Sequence, residues 1–266
     1  MSMFDLAHHG DTEVGPGLAD FAVNVAVSAP PPWLRGALEA ALGDVARYPV
    51  VAPAVDALAA LHGCPPESVL VTSGAAEAFT LIARARRWRK PLVVHPQFTE
   101  PESALASNGY RVTRLILDQD NGFTLDPGRV PADADLVVIG NPTNPTSRLH
   151  PREAILDLVR PGRLVVVDEA FMDVVDHGSD SVLDDAARSD GLVVIRSLTK
   201  TFGVAGIRAG YLIGGAAVIA ECALAQPHWS VNSLAVAATV ACAGAAGQEH
   251  LRAVRQDTTL RVSYLV

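Results

Sequence analysis

The chain has 266 residues, 49% of them hydrophobic, which is enough for one large core and argues against disorder. A formal net charge of -8 excludes a protein built to neutralise nucleic-acid phosphates, because no pervasive basic surface is available. Cys64, Cys222 and Cys242 are odd in number, far apart and without CxxC spacing, so they predict neither a disulfide framework nor a zinc site and suit a reducing cytoplasm.

The amino terminus carries Asp5, His8, His9, Asp11 and Glu13 in place of the basic flank and apolar core of a signal peptide. His8-His9 lacks carboxylates at useful spacing, so no metal is expected there. Residues 1–32, with several glycines and Pro30-Pro31-Pro32, read as an extended arm crossing other structure. A helix is expected from Pro32 through Leu42, then a break at Tyr48-Pro49 and a second helix over 54–62. From Val69 onward strand-like and helix-like segments alternate, the pattern of an α/β domain with a mainly parallel sheet. Strands are expected at 69–71, 92–94, 111–117, 136–139, 164–167, 192–195 and 209–213. Helices are expected from Gly74 through Ile82, over 99–107, and as one buried helix over 234–247, which is too short and too weakly apolar to span a membrane.

Several apolar runs end in chemically capable residues. Val69-Leu70-Val71 leads to Thr72-Ser73-Gly74-Ala75-Ala76-Glu77, and Leu92-Val93-Val94 to His95-Pro96-Gln97-Phe98. The run at 136–139 delivers Gly140-Asn141-Pro142-Thr143-Asn144-Pro145, and that at 164–167 delivers Asp168-Glu169-Ala170-Phe171. Parallel sheets bind ligands at the carboxyl edge of their strands, so these ends are expected to converge on one site.

Only two lysines occur, Lys90 and Lys200. Lys90 closes the basic run 84–90, which reads as a solvated helix end. Lys200 follows Arg196-Ser197-Leu198-Thr199 and precedes Gly203, Gly206 and Arg208. Its amine can attack a carbonyl to form a Schiff base, helped by nearby positive charge of the kind Arg208 would supply if the loop returns. Taken singly these features have ordinary readings: Lys200 as a loop lysine facing solvent, Gly74 to Ala76 as a helix start with a capping serine rather than a phosphate cradle.

Jointly, Gly74-Ala75-Ala76-Glu77, Asn141-Pro142-Thr143-Asn144-Pro145, Asp168-Glu169-Ala170, Ser197-Leu198-Thr199-Lys200 and Gly206-Ile207-Arg208 resemble the class I/II aminotransferases that use pyridoxal phosphate. The resemblance runs from about His9 to about Asn232. It is strongest toward histidinol-phosphate aminotransferases and threonine-phosphate decarboxylases of cobalamin synthesis. It implies the type I fold of these enzymes, with an arm and first helix over 1–49, a cofactor-binding α/β domain over 50–232, and the start of a carboxyl-terminal part over 233–266. The small domain that follows in such proteins, with the arginine for a substrate carboxylate, is expected to be missing or cut short.

The resemblance also implies roles. Lys200 would hold the cofactor and move protons, and Asp168 would keep the pyridine nitrogen protonated. Asn144 would donate to the ring oxygen, while Phe98 would stack on the ring. Gly74, Ala75, Ala76, Ser197, Thr199 and Arg208 would grip the phosphate, and Tyr48 would reach the phosphate of the other subunit of a homodimer. His9, Gly10 and Asn24 would lie near the substrate. Two positions depart from the family pattern: Phe171 replaces a tyrosine, and Thr146-Ser147 replaces Thr-Gly.

The expected activity is amino transfer on a small phosphorylated amino compound. Decarboxylation of threonine phosphate is the alternative, and cofactor binding without turnover is a reading of another class. A nicotinamide-dependent oxidoreductase fits poorly, since no GxGxxG follows a first strand.

Overall fold

A computed structural model of the chain describes residues 6, 10–18, 22–175 and 179–264. Seven strands, β1 Val69–Thr72, β2 Pro91–His95, β3 Thr113–Ile116, β4 Leu136–Gly140, β5 Leu164–Asp168, β6 Leu192–Ser197 and β7 Gly210–Gly214, form one sheet in the order β1-β7-β6-β5-β4-β2-β3. Strands β2 to β6 pair in parallel, whereas β7 runs antiparallel to both β1 and β6. The expected type I fold, mainly parallel and flanked by helices, is thus what the chain adopts.

The apolar runs of β4, β5 and β6 are continuous because the sheet is covered on both faces. Alternate residues go to opposite cores. Val137, Val165 and Val194 pack toward α1 Pro32–Ala41, α2 Ala52–His62 and α8 Ser233–Ala243. Val138, Val166 and Val193 pack toward α3 Gly74–Ala85, α4 Glu100–Ser107 and α7 Ala216–Ala225. Each valine buried this way contributes about 1.5–3 kcal/mol of transfer free energy, enough to fix the register against a one-residue slip.

Some boundaries differ from expectation. Helix α2 starts at Ala52, because Pro53 in its first turn needs no hydrogen-bonded N–H, and it stops at Gly63, which takes φ 60°. The strand expected over 111–117 shortens to β3. The single buried helix expected over 234–247 is two helices, α8 and α9 Ala245–Ser263, separated at Gly244 with ψ 176°. There the chain turns so tightly that a Cβ on Gly247 would lie 2.0 Å from the Cys242 carbonyl oxygen. The basic run 84–90 is more than a solvated end: Arg86 pairs with Glu221, Lys90 pairs with Asp133, and Trp88 is buried.

Register carries the chemistry to one edge. Asp168 stands beside Gly140 on one side and Ile195 on the other, and Ser197 faces Gly210. The ends of β4, β5 and β6 and the start of β7 therefore open on the same cleft.

Candidate active site

The cleft has a volume of about 190 Å³ and is lined by Ala75, Ala76, Phe98, Asn144, Asp168, Ser197, Thr199, Lys200 and Arg208, together with Ala22, Gln97, Gly140, Pro142, Ala170, Phe171 and Ala205. Nine of the residues singled out from sequence thus share one concavity. Gln97 was missed as a site residue although it follows a strand end as the others do; its amide donates to the Val138 carbonyl at 3.3 Å.

The floor is a helix start. Gly74, at φ 74°, opens α3, and the preceding Ser73 N–H is taken by Glu77 Oε2 at 2.6 Å, so a carboxylate caps this end while the Ser73 side chain makes no cap bond. The first-turn N–H groups of Ala75 and Ala76 have no acceptor within the helix and, with the dipole, favour an anion. Glycine is required at 74 by its left-handed φ and at 210 by backbone contact. A Cβ on Gly74 would lie 2.7 Å from Arg208 Nη2, and one on Gly210 would lie 2.9 Å from the Gly74 carbonyl carbon. Arg208 holds this position in a left-handed conformation, φ 61°, with Nη1 donating to the Ala205 carbonyl at 2.9 Å. Ser197 Oγ and Thr199 Oγ1 lie 2.7 Å apart beside it, both buried. Two N–H groups, two hydroxyls and a guanidinium make a cradle for a phosphate-sized dianion.

On the opposite side, Asp168 closes β5. Burial pushes its pKa up to about 6, opposed by the Ala170 N–H that donates to its carboxylate at 3.1 Å, reinforced by Glu169 and opposed by Lys200. A carboxylate held so reluctantly is relieved by a cationic N–H placed against it. The adjoining turn is fixed by its own bonds: the Asn141 N–H donates to the Asp168 carbonyl at 2.8 Å, Asn141 Nδ2 donates to His150 and Asp180 carbonyls, and Thr143 Oγ1 donates to Gly140 at 2.7 Å. Ser147 stands at φ 56°, so the turn is kept despite the residue that replaces glycine.

Behind the cleft, each strand sends its next residue the other way. Arg196, buried, pairs with Glu169 at 2.7 Å and Asp173 at 2.8 Å, and Tyr211 meets His62 at 2.9 Å. This ionic cluster supports the backbone that carries Asp168, Ser197 and Gly210.

The remaining predicted residues lie elsewhere. Asn24, at φ 53°, lines an adjoining cavity of about 610 Å³ together with Lys200, Asn144 and Phe171. Gly10 belongs to the short 3-10 helix Gly10–Glu13, and a Cβ there would lie 3.2 Å from Ala22 Cβ. His9 lies outside the described residues. Tyr48 is 72% exposed and stacks on Trp229 at 4.4 Å, outside the cleft of its own chain.

A mainly parallel sheet with a lysine, a half-buried aspartate and an anion-favouring helix start at its carboxyl edge is an arrangement that pyridoxal phosphate would fit. Residues 20–266 match the model of aminotransferase class I and II, and the chain belongs to this family. It is 45% identical over 260 residues to a histidinol-phosphate aminotransferase of Mycobacterium tuberculosis, covering 94% of this chain and 70% of that protein. It is 32% identical over 258 residues to the threonine-phosphate decarboxylase of Salmonella typhimurium, covering 90% and 70%. The fold superposes on the histidinol-phosphate aminotransferase of Clostridium acetobutylicum with a TM-score of 0.81 at 23% identity, over 90% of this chain and 73% of that one.

Proposed function

We propose that the chain transfers an amino group to or from a small phosphorylated amino compound, as its 45% identical mycobacterial relative is named for doing with histidinol phosphate. The observation that carries this reading is the joint placement of Lys200, Asp168, Asn144 and the Ser197, Thr199 and Arg208 cradle around one cleft.

When bound, pyridoxal phosphate supplies an electron sink that weakens the bonds at the substrate α-carbon. The residues of the chain do the rest. Lys200 is the residue that would hold the cofactor, through Nζ, and the same atom would carry a proton to or from the substrate. Asp168 would hold the proton on the ring nitrogen; its own raised pKa in the unloaded chain is what such a cationic partner would relieve. Asn144 would bond the ring oxygen without help from a hydroxyl at position 171, and Phe98 would cover the ring. Ala75, Ala76, Ser197, Thr199 and Arg208 anchor the phosphate, with Gly74 clearing space. Asn24, with Gly10 and His9, contributes on the substrate side.

In this reading residues 50–232 form the cofactor-holding domain, 1–49 the arm and first helix, and 233–266 the start of the carboxyl-terminal part. The working form is a cytoplasmic homodimer in which the exposed Tyr48 reaches the phosphate of the other subunit. Among the described residues no helix is long and apolar enough to cross a membrane. Sedimentation should give twice the chain mass; a monomer that turns over at full rate would remove Tyr48 from the site.

Decarboxylation of threonine phosphate is the second reading, favoured by the 32% identity to the Salmonella enzyme. Incubation with histidinol phosphate and 2-oxoglutarate should produce glutamate, whereas carbon dioxide from threonine phosphate with no glutamate would establish the decarboxylase instead. Borohydride reduction followed by peptide mapping should place the cofactor on Lys200; label on Lys90 would end both readings.

A further inference from the structure

The arm that precedes α1 is tied to the lysine at both ends of that residue. Lys200 Nζ donates to the Val23 carbonyl at 2.7 Å, and the Ala26 N–H donates to the Lys200 carbonyl at 2.9 Å. Three residues on, the arm lies directly against Gly203. A Cβ there would be 2.9 Å from the Val27 carbonyl oxygen and 3.1 Å from the Ala29 carbonyl carbon, and Gly203 has φ 63°. Any other residue would be strained and would push the arm off the lysine loop.

We propose that the arm segment 22–29 positions the reacting amine: the Val23 carbonyl holds Lys200 Nζ whenever that amine is not joined to the cofactor, and Gly203 lets the arm come close enough to do so. This rests on the reading of Lys200 as the reacting amine.

A lysine released from its covalent partner has four freely rotating bonds and would lose its aim without a fixed acceptor. A neutral amine that donates one N–H to Val23 keeps its lone pair on the other side, where it accepts the proton from the substrate carbon. The C–H electron pair stays with the substrate, and Nζ becomes an ammonium that the same carbonyl binds more strongly. Returning that proton to the substrate restores the neutral amine. The acceptor is backbone, so the holding role does not depend on the side chain at position 23.

The test is amide hydrogen exchange on the unloaded protein, in wild type, Lys200→Ala and Gly203→Ala, with exchange in β4 and β5 as the folding control. Losing one charge-assisted hydrogen bond should speed exchange over residues 22–27, Ala26 included, by at least about tenfold in Lys200→Ala while the sheet stays protected. Gly203→Ala should do the same. With cofactor and substrate it should lower kcat more than it raises KM and enlarge the isotope effect of an α-deuterated substrate. Arm exchange in Lys200→Ala equal to wild type would overturn the holding role. An unchanged isotope effect in Gly203→Ala would overturn the role of the glycine. Lys200→Ala alters no packed glycine, so it decides the matter even where Gly203→Ala does not fold. If wild type takes up no pyridoxal phosphate, the functional reading fails while the exchange comparison still decides the arm contact.

Discussion

Asp168 is a residue whose placement costs the unloaded chain stability. Its pKa of about 6 exceeds the ordinary carboxylate value of 3.8, so between those pH values the folded unloaded chain binds more protons than the unfolded one. Stability from this group is therefore present at low pH and falls as pH rises to about 6. Asp168→Asn removes the penalty. Chemical denaturation of the unloaded proteins should show the variant more stable than wild type by roughly 3 kcal/mol at pH 7 and indistinguishable near pH 3.5. Ser147 is the converse case, a non-glycine at φ 56° whose strain is of the order of 1 kcal/mol, partly offset in glycine by a freer unfolded chain. Ser147→Gly should raise the unfolding free energy by about 0.5 kcal/mol, measured by urea titration, and leave cofactor affinity unchanged.

At the scale of elements, alternation along a strand assigns neighbouring residues to different tasks. On β5 and just beyond it, Asp168 faces the cleft while Glu169 is fully buried against Arg196; on β6, Ser197 faces the cleft while Arg196 turns to Glu169 and Asp173. Removing the guanidinium leaves two carboxylates in the interior without their counter-ion, one of the costliest changes a core can suffer. Arg196→Met should destabilise by about 3–5 kcal/mol in urea unfolding although the residue touches nothing in the cleft. Motif spacing marked Ser197 and Lys200 but gave no sign of this cluster, because Asp173, Tyr211 and His62 reach Arg196 or one another from other elements. The two-helix answer for 234–247 has a similar origin. Small residues at Gly244 and Gly247 read as a packed helix in one dimension, whereas in three they permit a tight turn over the Cys242 carbonyl.

For the molecule as a whole, the site is assembled from segments as distant as Ala22 and Arg208, so ligand and fold are linked. Pyridoxal phosphate at a hundred times its Kd should add about 2.7 kcal/mol to stability, visible as a rise in Tm. Pyridoxal without its phosphate should give a distinctly smaller rise at equal concentration, because the cradle of Ala75, Ala76, Ser197, Thr199 and Arg208 is left unfilled. Equal shifts would move the anchor elsewhere.

The sequence by itself determined the strands and the mainly parallel character of the sheet, the edge at which its polar residues gather, the lysine and aspartate of the cleft, and the family. Each is written in contiguous apolar runs and in the residues that end them, so local order is enough to read it. Only the tertiary structure decided that Val23 meets the lysine, that Gly203 and Gly210 are points of backbone contact, that Tyr48 stands outside its own cleft, and that Arg196 backs the site. Those pairings join positions far apart in the chain, and the packing that brings them together leaves no periodic signal in either partner.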